Sequence, residues 1–186
     1  LLQESLDETQ EVLNTEYMKD LRTSEEQLCF LVESFIKTAR LEQGIIQVHM
    51  QKENLVETIL NALGQIQKKA EDKDIFFQVE LPEKIICEHD KNWMCEVFYN
   101  VFDNAVKYSK SNSTIDITMK QTEMFYKIQI RDYGIGIKDG EENKIFQRFY
   151  RGEQARGQEG CGIGLYLSRE IVLLQKGMMK AKQMKP

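Results

Sequence analysis

Glycine is concentrated in one stretch of this 186-residue chain. Eight of its eleven glycines lie between residues 132 and 165, in one cluster after a strand-like run and another before an apolar, helix-like run. Glycine lets a backbone approach a ligand closely, and free N–H groups at a helix start favour phosphate. The stretch therefore indicates a nucleotide site, covered by a basic lid that carries Arg148, Arg151 and Arg156.

Asp132 stands at the end of the strand-like run. Counting back by twos gives Ile130, Ile128 and Tyr126, so the carboxylate is expected to continue the apolar face. A buried charge needs a hydrogen-bond donor, and the exocyclic amine of a purine would serve. The alternative is that Asp132 bonds to its own turn, as Asp before Gly commonly does.

A row of polar side chains shares one face of a helix predicted over residues 92–108. Glu96, Asn100, Asn104 and Lys107 are spaced by four, four and three residues. Asparagine is a poor helix former, but its carbonyl oxygen suits Mg²⁺. Lys107 could then meet phosphate oxygens as a point charge. The alternative is a solvated polar face on which two asparagines occur by chance.

The second glycine cluster, residues 160–164, leads directly into the apolar run that starts at Leu165. Backbone N–H groups at this helix start could face a phosphate. Phe146 and Phe149 could anchor the preceding loop on the core and leave its arginines to reach the ligand. An ordinary exposed loop tied down by these aromatic residues is the alternative.

Composition and charge exclude several classes of protein. The chain is 41% hydrophobic and 30% charged, which is typical of a globular protein with a core. Its net charge of −5 provides no basic face, so we expect no nucleic-acid partner. No apolar run is long enough to span a bilayer, so any membrane anchor would lie outside this sequence. The four cysteines lack CxxC spacing and indicate reduced thiols.

The elements that must position these residues form two regions. Residues 1–44 predict a hairpin of two helices, with a break near Thr23 or Ser24 and an end at Gly44. The apolar stripes of such a hairpin need more helix to cover them, which dimerisation would supply as a four-helix assembly. The alternative is a hairpin packed on the globular part of its own chain.

Residues 45–186 mix strands with helices. Strands are expected over 45–50, 75–81, 84–87, 115–120 and 125–131, with another beginning at 178, and helices over 55–70, 92–108 and 165–174. This order indicates an α/β or α+β sandwich in which helices cover one face of a mixed sheet.

Together these motifs resemble the ATP-binding catalytic domain of sensor histidine kinases, in the superfamily shared with gyrase B and the heat-shock chaperone ATPase. Residues 100–108 resemble the asparagine box, 132–136 the first glycine box, 145–152 the phenylalanine box and 160–165 the second glycine box. All four occur in family order. Residues 39–44 resemble the end of the second dimerisation helix.

The resemblance implies a Bergerat-type α/β sandwich that binds ATP and Mg²⁺ between the asparagine-box helix and the lid. It implies that Asn104 holds Mg²⁺ with help from Asn100, and that Lys107 contacts phosphate. Tyr108 would pack near the adenine, and Asp132 would accept a hydrogen bond from its amine. The other binding residues that the resemblance implies are Gly134, Gly136, Arg148, Arg151, Gly160, Gly162, Gly164 and Leu165.

By the same resemblance, the chain would be the catalytic part of a sensor histidine kinase. It would transfer the γ-phosphoryl group of ATP to a histidine, for relay to a response-regulator aspartate. Its partners would be a response-regulator receiver domain and a second copy bound through the hairpin, in the cytoplasmic portion of a membrane-anchored bacterial sensor. The alternatives are another ATPase or serine kinase of the superfamily, and a non-catalytic dimerisation or scaffold module.

Two features depart from the family pattern. The family's phosphoacceptor histidine lies on the first dimerisation helix, before an acidic residue, whereas this chain has only His49 and His89. His89 is followed by Asp90, but the pair stands just ahead of the asparagine-box helix, so we expect a surface turn there. We therefore expect the phosphoacceptor to precede Leu1, and the family's last strand to follow Pro186.

Overall fold

The computed structural model describes residues 2–155 and 160–184. In these residues four α-helices, five strands and two 3₁₀ turns follow one another. They are α1 (Leu2–Glu42), β1 (Gln51–Asn54), α2 (Leu55–Glu71), β2 (Phe76–Glu80), β3 (Ile86–His89), α3 (Lys91–Tyr108), β4 (Thr114–Gln121), β5 (Tyr126–Arg131), the turns Lys144–Phe146 and Glu153–Ala155, and α4 (Gly164–Leu174).

One helix, α1, stands where the sequence predicted two. The backbone is helical without interruption from Leu2 to Glu42, so the predicted break at Thr23 or Ser24 is absent. No glycine or proline occurs between these ends to interrupt the helix. Thr and Ser cap a helix only at its first residue, and here the helix continues through Thr23 and Ser24.

The spacing of apolar residues explains why α1 continues. Leu21, Leu28 and Phe35 follow one another at intervals of seven, straight through the predicted break. Their side chains are 65%, 61% and 62% exposed, so they form an apolar stripe along the outside of the helix. The helix ends just before Gly44, whose φ of +65° is typical of the residue that follows a helix. Neither α1 nor any other helix in the described ranges is long and apolar enough to cross a membrane.

The strands form two sheets. β1 and β3 pair antiparallel, and the other three form a mixed sheet in the order β2–β4–β5. In the mixed sheet β2 runs parallel to β4, and β5 runs antiparallel to it. The strand predicted at 45–50 lies instead at Gln51–Asn54, where it finds β3 as a partner. In the described part of the chain, the strand predicted to begin at 178 is not formed.

Helices α2 and α3 share one core with the mixed sheet. The fully buried side chains at its centre are Ile59 and Ile66 from α2, Phe102 from α3, and Ile115 and Ile117 from β4. Phe102 meets the ring of Phe98 in a stacked arrangement and that of Phe77 edge-on. This confirms the predicted α/β sandwich and buries one face of α3 from Val97 to Val106.

A second, smaller apolar cluster joins α3 to α4. It is formed by Val97, Ile163, Leu167 and Ile171, and Leu41 near the end of α1 packs against it. This cluster brings the second glycine cluster next to the asparagine-bearing helix, and it seats the last turns of α1 on the same side.

His89 and Asp90 do not form the expected surface turn. They are only 4% and 6% exposed. Asp90 is the N-cap of α3, where its Oδ1 accepts hydrogen bonds from the backbone N–H groups of Asn92 and Trp93. Nε2 of His89 lies 2.9 Å from Oγ1 of Thr58 on α2. The pair therefore joins a strand to a helix inside the fold, where a capping carboxylate and a bonded imidazole are both satisfied.

Truncation of Phe102 tests the position of the core. We expect Phe102→Ala to lower the free energy of unfolding by about 3–5 kcal/mol, because the side chain is fully buried. Phe76 on β2 is 68% exposed, and Phe76→Ala should change the same quantity by about 0.5 kcal/mol or less. Urea denaturation of both variants measures the difference, and equal losses would contradict this assignment of the core.

Candidate nucleotide-binding site

A cleft opens beside α3 and gathers residues that are far apart in the sequence. Its walls include the second half of α3, β5, the first glycine loop (residues 132–137), the start of α4 and the C-terminal segment (178–184). The lid (138–155) contributes residues 138, 141, 145, 146 and 150–155. All but one of the predicted binding residues line the cleft. These are Asn100, Asn104, Lys107, Tyr108, Asp132, Gly134, Gly136, Arg151, Gly160, Gly162, Gly164 and Leu165.

Arg148 is the exception. Its guanidinium forms an ion pair with Glu42 at the end of α1 and lies 5.6 Å from the centroid of the Tyr166 ring. The sequence predicts that Arg148 reaches the ligand, but in the structure its guanidinium lies at Glu42, outside the cleft wall. The reason is a carboxylate distant in sequence, which α1 presents to the outer side of the lid.

Arg151 does lie in the cleft wall. Its Nη2 donates a hydrogen bond to the carbonyl oxygen of Ala155 at 2.7 Å, which folds the end of the lid around it. Burial raises the pKa of the Tyr108 phenol, and the nearby Arg151 guanidinium opposes that shift. The cation therefore lies close to the end of α3. Arg156 and Gly157, which also belong to the predicted lid, lie outside the described residues.

The asparagines of α3 are oriented by the helix itself. Nδ2 of Asn104 donates to the backbone carbonyl oxygen of Asn100 at 2.7 Å. Because only the NH₂ group can donate, this bond assigns the amide and leaves Oδ1 as its acceptor for another group. Oδ1 of Asn100 lies 3.3 Å from the position that a Cβ would take on Gly164. The residues present thus offer amide oxygens of the kind that Mg²⁺ accepts.

Glu96 belongs to the same predicted face but turns away from the cleft. Its Oε1 accepts from Nζ of Lys37 on α1 at 2.6 Å. Both side chains are partly exposed, so this pair contributes little to stability. The predicted row of polar side chains on α3 is therefore divided. Glu96 contacts α1, whereas Asn100, Asn104 and Lys107 line the cleft.

The second glycine cluster meets both Lys107 and the lid. A Cβ on Gly160 would lie 2.8 Å from Nζ of Lys107. Gly162 has a φ of +71°, and its carbonyl oxygen accepts from the backbone N–H of Phe149 at 3.0 Å. A Cβ there would lie 2.6 Å from the carbonyl oxygen of Tyr150. Gly162 requires glycine because of its φ and because the lid backbone approaches it this closely, whereas Nζ of Lys107 ends a flexible side chain that can move away from a larger residue at position 160.

Asp132 is exposed, which corrects the expectation that it continues the buried face of its strand. Ile128 and Ile130 do pack against the core, but the strand ends at Arg131 and the chain turns. Oδ1 of Asp132 accepts from the backbone N–H of Gly134 at 3.0 Å, as in the alternative that the sequence left open. That bond engages one carboxylate oxygen, and the side chain still lines the cleft.

The first glycine loop rests on the last turn of α3. The backbone N–H of Ile135 donates to the carbonyl oxygen of Tyr108 at 3.3 Å, and a Cβ on Gly134 would lie 2.2 Å from the same oxygen. On its other side the loop is tied to β4, where the hydroxyl of Tyr133 donates to Oδ2 of Asp116 at 2.7 Å. Sequence reasoning missed this tie, because nothing local pairs the two residues.

The close approach of Gly134 to α3 can be tested by adding a methyl group. We expect Gly134→Ala to lower the free energy of unfolding by about 1–3 kcal/mol, because the loop must move off a backbone carbonyl. Gly64 in α2 is exposed, and a Cβ there meets nothing within 4 Å. Gly64→Ala should therefore raise stability by about 0.5–1 kcal/mol. Thermal unfolding of the pair gives the comparison; a neutral Gly134→Ala would rule out the contact.

The fold is an α/β sandwich of the Bergerat ATPase type, and comparison with known sequences identifies its family. The chain belongs to the histidine kinase-, DNA gyrase B-, and HSP90-like ATPases, whose family model matches residues 89–185. The matched region holds all four motif boxes and the C-terminal segment. The resemblance drawn from the sequence is confirmed at the level of the family.

Its relatives are sensor histidine kinases. The chain is 31% identical over 154 residues to the sensor histidine kinase MtrB of Mycolicibacterium paratuberculosis, a match that covers 81% of this chain and 27% of that protein. It is 31% identical over 176 residues to the sensor protein kinase WalK of Staphylococcus aureus, covering 92% of this chain and 42% of that protein. The chain thus spans less than half the length of these relatives.

A solved structure shares the fold. The histidine kinase ThkA, in complex with the response regulator protein TrrA, has a TM-score of 0.68 and 19% sequence identity to this chain. The match covers 85% of this chain and 46% of that one. The matched share of this chain is larger than residues 45–186 alone. The match therefore also includes part of residues 1–44.

Proposed function

We propose that this chain is the ATP-binding catalytic part of a sensor histidine kinase. The whole protein would transfer the γ-phosphoryl group of ATP to a histidine, for relay to a response-regulator aspartate. One observation carries the proposal: asparagine amides, a carboxylate and a glycine-lined helix start, from three separate segments, line one cleft. Phosphoryl transfer depends mainly on positioning and on neutralising charge, and this set of groups can provide both.

The first glycine loop is proposed to hold the adenine. Asp132 already uses Oδ1 in its own turn, so Oδ2 is the oxygen that would accept from the exocyclic amine. Gly134 and Gly136 leave room beside it, and the half-buried ring of Tyr108 lies where the loop meets α3. A flat ring with one amine edge fits a wall made of an aromatic ring, glycine backbone and a single carboxylate.

The other end of the cleft is proposed to hold the phosphates. Lys107 and the backbone N–H groups of the second glycine cluster, through Gly162, Gly164 and Leu165, concentrate positive potential at the start of α4. Asn104 and Asn100 would hold Mg²⁺, which binds largely through phosphate oxygens and water and needs few protein ligands. The resemblance implied a ligand contact for both Arg148 and Arg151. We assign that contact to Arg151, because it lines the cleft and Arg148 does not.

Residues 1–44 are proposed to dimerise, with residues 45–186 as the catalytic unit. The exposed stripe of Leu21, Leu28 and Phe35 has the interval of seven that helices use to pack along one another, and a second copy would cover it. The phosphoacceptor histidine would lie in a part of the protein outside this chain. A response-regulator receiver domain would be its second partner, in the cytoplasmic portion of a membrane-anchored sensor.

Removal of the Asp132 carboxylate tests the adenine site. We expect Asp132→Ala to weaken ATP binding about 10- to 100-fold, the effect of losing a hydrogen bond to a charged group. Asp132→Asn keeps an acceptor for Gly134 but presents an NH₂ group to the amine, so it should weaken binding as much. Asp139→Ala, in an exposed part of the lid outside the cleft wall, should bind ATP like the parent. Isothermal titration calorimetry measures all four proteins.

Other outcomes of this titration favour the alternatives. If Asp132→Ala binds ATP as tightly as the parent, the adenine assignment is wrong. If the parent binds no nucleotide, the non-catalytic dimerisation or scaffold module is the better interpretation. Steady ATP turnover by the whole protein, without an acid-labile phosphohistidine, would instead favour another ATPase or a serine kinase of the superfamily.

Substitution of Asn104 tests the metal site. The measured quantity is the ratio of ATP affinity with Mg²⁺ to ATP affinity in EDTA. This ratio should be at least fivefold lower in Asn104→Ala than in the parent, because the amide oxygen proposed to hold the ion is lost. Asn143 lies in the lid, outside the cleft wall, and its side chain makes no capping bond. Asn143→Ala should keep the parent ratio. An unchanged ratio in Asn104→Ala would remove this residue from the metal site.

A further inference from the structure

The C-terminal segment makes one specific bond to the first glycine loop. Oε1 of Gln183 accepts from the backbone N–H of Ile137 at 2.6 Å. The amide of Gln183 also lies flat against Gly136, where a Cβ would come within 2.6 Å of Oε1 and 2.8 Å of Nε2. Gly136 has a φ of +71°, so glycine is favoured there for the backbone conformation, and it also leaves room for the amide of Gln183.

This bond completes the attachment of the loop. At its first half the loop is held by α3, through the bond from Ile135 to the carbonyl oxygen of Tyr108. Gln183 holds its second half, two residues further on, at the point where the loop becomes the lid. Between them these bonds keep the loop against the wall of the cleft, and Asp132 stands at its start.

The neighbours of Gln183 show why this segment can hold a loop. Met179 and Ala181 are partly buried, whereas Lys180 and Lys182 are exposed. The alternation is that of an extended segment with one face toward the protein. Gln183 follows at the next position of this alternation; it is exposed, and it presents its amide to the first glycine loop.

We propose that Gln183 is a positioning residue for the adenine end of the nucleotide site. It keeps the first glycine loop, which begins at Asp132, in the shape that rests on the last turn of α3, and it does not need to touch the nucleotide itself. Without this bond the loop samples other shapes, and apparent affinity falls in proportion to the fraction of molecules that remain competent to bind. This inference rests on the proposed binding of ATP.

The experiment separates the acceptor oxygen from the rest of the side chain. Gln183→Met keeps the length but has no oxygen acceptor, and we expect it to weaken ATP binding about three- to tenfold, the effect of one hydrogen bond. Gln183→Glu retains an acceptor oxygen and should bind within about twofold of the parent. Gln147→Met, an exposed lid residue outside the cleft wall, is the matched control and should bind like the parent.

Two further measurements identify the cause of the effect. The melting temperature without nucleotide should fall by no more than about 4 °C in Gln183→Met, the effect of losing one hydrogen bond, and should be unchanged in Gln147→Met. Amide hydrogen exchange at Ile137 should be faster in Gln183→Met than in the parent, since its N–H has lost its acceptor. Slower or equal exchange would mean that the bond does not form.

The outcomes distinguish this inference from the proposed function. If the parent binds ATP and Gln183→Met binds it equally well, Gln183 has no positioning role and the proposed function stands. If Gln183→Glu fails to restore binding, or if Gln183→Met lowers the melting temperature by more than the loss of one hydrogen bond explains, the side chain acts on overall stability and the inference is wrong. If the parent binds no ATP, both are wrong.

Discussion

The site depends on how closely glycine backbone approaches one face of α3. Three glycines, drawn from two loops, lie against successive positions along the second half of that helix. The contacts are Gly164 with the amide of Asn100, Gly160 with the ammonium of Lys107, and Gly134 with the carbonyl oxygen of Tyr108. A side chain at Gly134 would meet backbone and would move the first glycine loop away from the helix, whereas at Gly160 and Gly164 the neighbouring atoms end side chains that can shift. Gly134 therefore fixes how closely this wall of the cleft approaches α3.

Helix α3 can serve as this reference surface because its other faces are immobilised. Phe102 and Phe98 are buried in the main core, Val97 joins the cluster shared with α4, and Asp90 caps the first turn. A side chain on such a helix is held within a fraction of an ångström, as a binding site requires. The loops are then positioned against the helix by backbone hydrogen bonds, including the one that Tyr108 accepts.

Helix α1 meets this assembly at its C-terminal end. Lys37 contacts Glu96 on α3, Glu42 contacts Arg148 in the lid, and Leu41 packs on the cluster between α3 and α4. The two ion pairs are partly exposed and each contributes at most about 1 kcal/mol. They nonetheless connect the helix proposed to dimerise with both sides of the proposed nucleotide site. A bond with so small a contribution can also be broken at little cost when the two regions move.

The sequence by itself determined the α/β sandwich, because alternation and helical spacing are local signals, and four motifs in a fixed order carried the resemblance to the family. Nearly all of the residues singled out from the sequence line the cleft. The sequence also placed α2, α3, β4 and α4 within a few residues. Only the tertiary structure decided that Arg148 turns to Glu42, that Asp132 is exposed and that Gln183 reaches Ile137. It also decided that His89 is buried and that α1 is one helix. Each of these outcomes depends on a partner or neighbour distant in sequence, or on whether a capping residue meets a turn, and no local pattern specifies that.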